Sequence, residues 1–214
     1  ALKTRFLKDW YYASGDRSST DPIITQEIRS RGSTGIQIIS SGPDTQVEHI
    51  KLAFIRMIAT AKESILIQSP YFIPDESVRD ALITAMLSGV KVQIMIPCKP
   101  DHPFVYWASL WHLGELLKHG AEGYLYNNGF LHVKTMVIDD DLATVGSANM
   151  DIRSFSLNFE TNAVLYGEES VMALRNQFME DLKHSSHLSY EKYQERPLGV
   201  KLKQSFSRLL SPIL

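Results

Sequence analysis

Between Gly129 and Glu160 the chain concentrates groups suited to chemistry at phosphorus. The run reads Gly129-Phe-Leu-His132-Val-Lys134-Thr-Met-Val-Ile-Asp139, followed by Gly146-Ser147-Ala-Asn149, Asp151-Ile-Arg153-Ser154 and Asn158-Phe-Glu160. Residues two apart on a strand share a face, so His132 and Lys134 are expected to project together while Val133 points away. An imidazole beside an ammonium offers a phosphate both a nucleophile and a clamp for its non-bridging oxygens. Ser147 and Asn149, again two apart and just after a glycine, add a hydroxyl and an amide able to donate to the same phosphate. Glu160 can accept from the second imidazole nitrogen, fixing the tautomer and raising the basicity of the first. Asp139 stands at the far end of the His132 strand and reads as a turn-fixing residue.

Any one of these residues alone is ordinary, and a lone histidine on a strand is usually a half-buried polar group. Their joint spacing carries the catalytic reading. Asp139-Asp140-Asp141 reads as a polar turn between strands rather than a metal site. His112, His119, His184 and His187 lack partners that would complete a zinc set. No metal and no cofactor is called for, since His132 and Lys134 already supply nucleophile and charge.

Positioning these residues falls to an alternation of strands and helices. Strands are expected at 36–40, 64–69, 90–96, 123–126, 131–138, 142–146 and 161–166. Helices are expected at 46–61, from Asp75 to Gly89, from Pro103 to Gly120, and at 168–182. That order implies an α/β layered fold with a mixed sheet. Ahead of it, 1–15 reads as a helix ended by Gly15, and 16–35 as a Ser, Thr, Gly and Arg-rich linker. The catalytic domain is expected at 36–185 and a tail at 186–214.

The chain has 214 residues, 44% hydrophobic and 21% charged, which is globular composition. Its formal net charge is -2, from 22 Lys plus Arg against 24 Asp plus Glu. That balance disfavours nucleic acid as a partner. Cys98 stands alone, so no intrachain disulfide can form, which fits a reducing compartment. No apolar run approaches the ~20 residues of a membrane span, and no signal peptide is visible. Membrane contact is therefore expected to be peripheral or to depend on a part of the protein outside this sequence. In the tail, Leu198, Leu202, Phe206, Leu209, Leu210 and Ile213 fall on one helical stripe, with Lys201, Lys203 and Arg208 off it. Such a segment suits either a membrane interface or docking on another catalytic half. For Phe104, Tyr106, Trp107 and Trp111, core packing is the favoured account.

His132-x-Lys134-x4-Asp139 followed by Gly146-Ser147-x-Asn149 resembles the HKD motif of the phospholipase D superfamily. Pro70-Tyr-Phe-Ile-Pro-Asp75, Gly129-Phe-Leu-His132 and Asn149-Met-Asp-Ile-Arg-Ser-Phe155 resemble the bacterial cardiolipin synthase family. The likeness runs from Gly35 to Leu214, and 1–15 is similar to the helix that closes the preceding catalytic half of that family. The resemblance implies a phospholipase D-like domain with a mixed central sheet flanked by helices on both faces. It also implies transfer between two phosphatidylglycerols through a phosphatidyl-histidine intermediate, giving cardiolipin and glycerol. His132, Lys134 and Asp139 match the motif, Ser147 and Asn149 match phosphate-binding positions, and Glu160 matches the histidine-orienting carboxylate. The implied partners are anionic phospholipid, a membrane surface and a second HKD half, with the catalytic domain peripheral on the cytoplasmic side of a bacterial membrane.

One departure is large, because the family enzymes have two HKD halves and membrane segments and this sequence shows one half and no span. A general acid and a nucleophile start from opposite protonation states, so one imidazole cannot readily fill both roles. The chain therefore reads as a C-terminal half, inactive alone unless two copies pair. Other readings are another phospholipase D-type enzyme (lipid hydrolase, different phosphatidyltransferase or nuclease) or a non-catalytic lipid-binding half.

Overall fold

The computed structural model describes residues 2–15, 32–99 and 101–211, in two compact units, 1–33 and 34–214. The first holds α1 (Leu2–Ser14), where Phe6 and Trp10 stack with ring centroids 6.2 Å apart. Its end is set by Gly15 at φ 69, whose N–H bonds the Tyr11 carbonyl at 2.9 Å. Residues 16–31 of the expected linker lie outside the described residues.

The second unit opens with β1 (Gly35–Ser41), α2 (His49–Thr60), β2 (Ser64–Gln68), β3 (Phe72–Ile73), α3 (Glu76–Leu87) and β4 (Lys91–Pro97). Then come α4 (Pro103–Leu117), β5 (Glu122–Tyr126), β6 (Thr135–Ile138), β7 (Leu142–Gly146), β8 (Met150–Asp151) and α5 (Ile152–Ser156). It closes with β9 (Glu160–Tyr166), α6 (Glu168–Leu182), β10 (Ser185–Leu188), α7 (Tyr190–Gln194) and α8 (Leu198–Leu209).

Eight strands form one sheet in the order β1-β9-β7-β6-β2-β4-β5-β10, and β3 pairs with β8 beside it. The β2-β4-β5 centre is parallel while the flanking pairs are antiparallel, so the sheet is mixed as expected. Both faces are covered. On one, Ile50 and Phe54 of α2, Leu82 of α3 and Leu113 of α4 pack on Ile94 and Met136. On the other, Val171 and Phe178 of α6 pack on Leu66, Met95 and Val137. Burial on both faces explains why β2 reads Ile-Leu-Ile without alternation.

Local chemistry sets the helix limits. Asp75 caps α3, its carboxylate accepting from the Val78 N–H at 3.0 Å. Proline opens α4. Gly114 in α4 has a steric role, since a Cβ there would lie 1.9 Å from Tyr193 Cζ, so α7 can rest on α4 only at a glycine.

Two expectations are corrected. The strand expected over 131–138 covers only Thr135–Ile138, leaving Leu131 to Lys134 irregular. The boundary placed between 185 and 186 falls inside β10, which pairs with β5 and completes the sheet edge. Among the described residues, no helix is long and apolar enough to cross a membrane.

Candidate active site

Three neighbouring strands gather the reactive residues at one end of the sheet. β6 pairs with β7 so that Thr135 faces Val145, and β7 pairs with β9 so that Gly146 faces Asn162. Lys134 just before β6, Ser147 just after β7 and Glu160 opening β9 therefore share an edge. Hydrogen bonds carry this register past the strand ends: the Gly146 N–H reaches the Lys134 carbonyl at 3.4 Å, and the Ser147 N–H the Thr161 carbonyl at 3.1 Å. Only glycine fits at 146, because a Cβ would lie 2.3 Å from Asn162 Oδ1 and 2.5 Å from the Thr161 carbonyl oxygen.

Lys134 is half-buried, and its Nζ donates to the His132 carbonyl at 2.8 Å. Partial burial pulls the ammonium below the ordinary lysine value, against the opposing fields of Glu160, Asp151 and Asp101. The root of the segment is fixed from beneath. Thr135 Oγ1 donates to Gln68 Oε1 at 3.3 Å, and Gln68 Nε2 to Asp181 Oδ2 of α6 at 2.7 Å, all buried.

His132 is exposed, and its ring stacks on Phe130 with centroids 5.7 Å apart. Glu160 is buried but accepts from Asn158 Nδ2 at 3.3 Å, not from His132. The expected carboxylate–imidazole bond is thus not made in this structure, because the His132 segment leaves the sheet before reaching Glu160's neighbours. Ser147 Oγ accepts from the Thr161 N–H at 3.0 Å at the surface. The Asn149 side chain is buried, bonds Asp151, and keeps Oδ1 without a partner. Unpaired buried polar atoms are uncommon in folded proteins.

Asp139 stands apart, at the opposite end of β6. It is held at φ 49, and its carboxylate accepts from the N–H groups of Lys62, Glu63 and Ser64 at 2.9, 2.9 and 2.8 Å. Partial burial pushes its carboxyl up, but the three bonds together outweigh that and leave it below the usual carboxylate value. It ties the α2–β2 loop to the sheet. Among the described residues, no group of three or more His, Cys, Asp or Glu side chains is placed to hold a metal.

A cleft of about 440 Å³ opens beside the sheet end, lined by Tyr71, His102, Phe104, Asn149, Asp151 and Arg153 among others. Asp151 caps α5 through the Ser154 N–H at 2.7 Å. Its burial raises its carboxyl, Ser154 and Asn149 pull it down, and nearby Glu160 pushes it further up. Tyr71 donates to Asp101 Oδ2 at 2.5 Å, and burial with that bond raises its phenol. Sequence reasoning assigned no role to Tyr71, Asp101, His102, Asp151 or Arg153. Tyr71, Asp151 and Arg153 do lie in the segments that carried the resemblance, whereas Asp101 and His102 sit in a loop without periodic signal.

Solved structures share this architecture. The phospholipase D family member Nuc of Salmonella typhimurium superposes with a TM-score of 0.63 at 18% identity, covering 73% of this chain and 99% of Nuc. Phosphatidylserine synthase of Haemophilus influenzae gives 0.67 at 17%, covering 85% of this chain and 48% of its own. At such identity the likeness establishes a phospholipase D-type fold. The family model described as cardiolipin synthase, PLD-like domain, matches residues 54–182, and the chain belongs to that family. It is 54% identical to the major cardiolipin synthase ClsA of Bacillus subtilis (strain 168) and 51% identical to the cardiolipin synthase of Oceanobacillus iheyensis. Each match takes in 100% of this chain, but 45% and 44% of the relatives. The chain thus spans about half the length of these curated relatives.

Proposed function

We propose that this chain is the C-terminal catalytic half of a phosphatidyltransferase that joins two phosphatidylglycerols into cardiolipin and releases glycerol. The observation that carries this reading is the convergence of Lys134, Ser147 and Glu160 on one sheet end through three adjacent strands. The identity to cardiolipin synthases across the whole chain supports it.

Two imidazoles are needed, His132 and a counterpart in a second HKD half. One attacks phosphorus, forming a P–N bond as the P–O bond to glycerol breaks. The other, starting protonated, delivers its proton to the departing glycerol oxygen. It then takes a proton from the hydroxyl of a second phosphatidylglycerol, whose oxygen attacks phosphorus as the P–N bond breaks. Lys134, with Ser147 and Asn149, holds the non-bridging oxygens, and Glu160 orients the imidazole once the halves meet. Asp139 supports this set from the opposite end of β6. Neither metal nor cofactor enters, and nucleic acid is not a substrate in this reading. In this reading the domain works peripherally, at the cytoplasmic face of a bacterial membrane.

The test is His132→Ala in the enzyme carrying both halves, assayed with phosphatidylglycerol alone. Cardiolipin formation should fall at least ~10²-fold. Undiminished turnover would mean that this half only binds lipid or completes its partner's fold. Phosphatidic acid without cardiolipin, from the unaltered enzyme, would make it a hydrolase.

A further inference from the structure

Helix α8 is docked with its faces inverted. The side turned into the protein is polar: Gln204, Ser207 and Ser211 just beyond the helix are buried. These contacts are specific. Gln204 Oε1 accepts from Arg196 Nε at 2.7 Å and from the Tyr193 hydroxyl at 3.3 Å, and Ser211 Oγ bonds His112 Nε2 of α4 at 3.1 Å. Arg208 lies over the Trp111 ring at 4.5 Å and Lys203 over Trp107 at 5.5 Å. At 100° per residue, Leu198, Leu202, Phe206 and Leu209 point directly away from that face. They are 73, 63, 57 and 71% exposed.

An amphipathic helix normally buries its apolar stripe in its own domain. Here the polar stripe is consumed internally and the apolar one is displayed, which marks a surface built to meet something apolar. Its chemistry selects the occupant. From Leu198 to Leu214 the sequence holds Lys201, Lys203 and Arg208 and no Asp or Glu, in a chain whose net charge is -2. Cations flanking an apolar ridge complement an anionic lipid surface. The ridge also continues into the cleft wall, because the Phe206 ring lies 6.3 Å from that of Phe104, which lines the cleft and is itself 52% exposed.

We infer that α8 and Phe104 form a membrane-docking edge, which inserts its apolar ridge among the acyl chains of an anionic bilayer and sets the cleft mouth at the headgroups. Binding of the edge to membrane does not depend on the phosphoryl chemistry. Its use in presenting substrate to the cleft rests on the function proposed above.

The probe is sedimentation of the 214-residue chain with phosphatidylcholine vesicles, with and without phosphatidylglycerol. The chain should bind the anionic vesicles preferentially and lose binding as salt rises. The double variant Leu202→Gln/Phe206→Gln should bind at least about tenfold more weakly with an unchanged melting temperature. His132→Ala should bind as the parent does, so docking is read apart from catalysis, which is assayed in the two-half enzyme. Absence of parent binding, or equal binding by the double variant, overturns the inference. So does a dimer in light scattering that the double variant dissolves, which would assign the ridge to a second copy. A two-half enzyme that has lost the binding of the single half overturns it too, giving the ridge to the other half.

Discussion

Lys134 Nζ and the His132 carbonyl are joined by a 2.8 Å hydrogen bond, so the ammonium is leashed to the same short segment that carries the imidazole. The bond favours a Lys134 position close to the backbone of the His132 segment.

Replacing Lys134 with Met in the two-half enzyme removes both the charge and this tether. The rate of cardiolipin formation should fall about 10²–10³-fold, the range for losing one preorganised stabiliser of developing charge. Lys134→Arg should recover little of it, because a planar fork does not reproduce the compact ammonium held against the His132 carbonyl. Steady-state kinetics, with melting temperature as a folding control, would check both.

Asp139→Asn should cost stability rather than chemistry. Asn Oδ1 can still accept from Glu63 and Ser64, but its amide nitrogen would face the Lys62 N–H. A loss of about 1–3 kcal/mol follows from one broken charge-assisted bond. Because the folded carboxyl lies below its unfolded value, its contribution is present above the unfolded value of about 3.9. It is lost as pH falls through the lower folded value. The acid limb of a chemical-denaturation series below about pH 4 should therefore be shallower in the variant.

Asp151 behaves in the opposite sense. Its folded carboxyl is raised, so the stabilisation it contributes is complete below the unfolded value and declines as pH climbs through the raised folded value. Asp151→Asn keeps an N-cap acceptor for Ser154 and removes that decline, so its stability should be flatter from about pH 4 upward. Asp151→Ala, equally flat but lacking the cap, should lie about 1 kcal/mol below Asp151→Asn at every pH. A pH series of denaturant midpoints separates the two variants.

Much of this was readable beforehand. The helix limits at Asp75, Pro103 and Gly120 carry local signals, and the alternation of elements points to a layered α/β sheet. The His132 segment was misjudged for a tertiary reason. Thr135 is paired with Gln68, the last residue of β2, on one side and with Val145 on the other, beyond which β7 has only Gly146 left. Pro70 follows Ser69, whose N–H has already turned to the Met95 carbonyl, and Ser147 turns to Thr161. Apolar residues upstream of Thr135 thus look like strand but have no ladder to join. β10 escaped because Ser185-Ser-His-Leu188 lacks alternation and is a strand only because β5 offers an edge. In α8 the stripe was visible, but which side docks depends on Tyr193, Arg196 and His112, which no helical wheel contains.

The antiparallel arch of β6, β7 and β9 supplies every group assigned to phosphorus, all from residues 132–160. The cleft rim at His102 and Phe104 hangs instead from the parallel side of the sheet, at the start of α4, which follows β4. On the function proposed above, His102 and Phe104 can therefore be exchanged to suit a different alcohol or acyl chain while the arch that carries Lys134, Ser147 and Glu160 is left untouched.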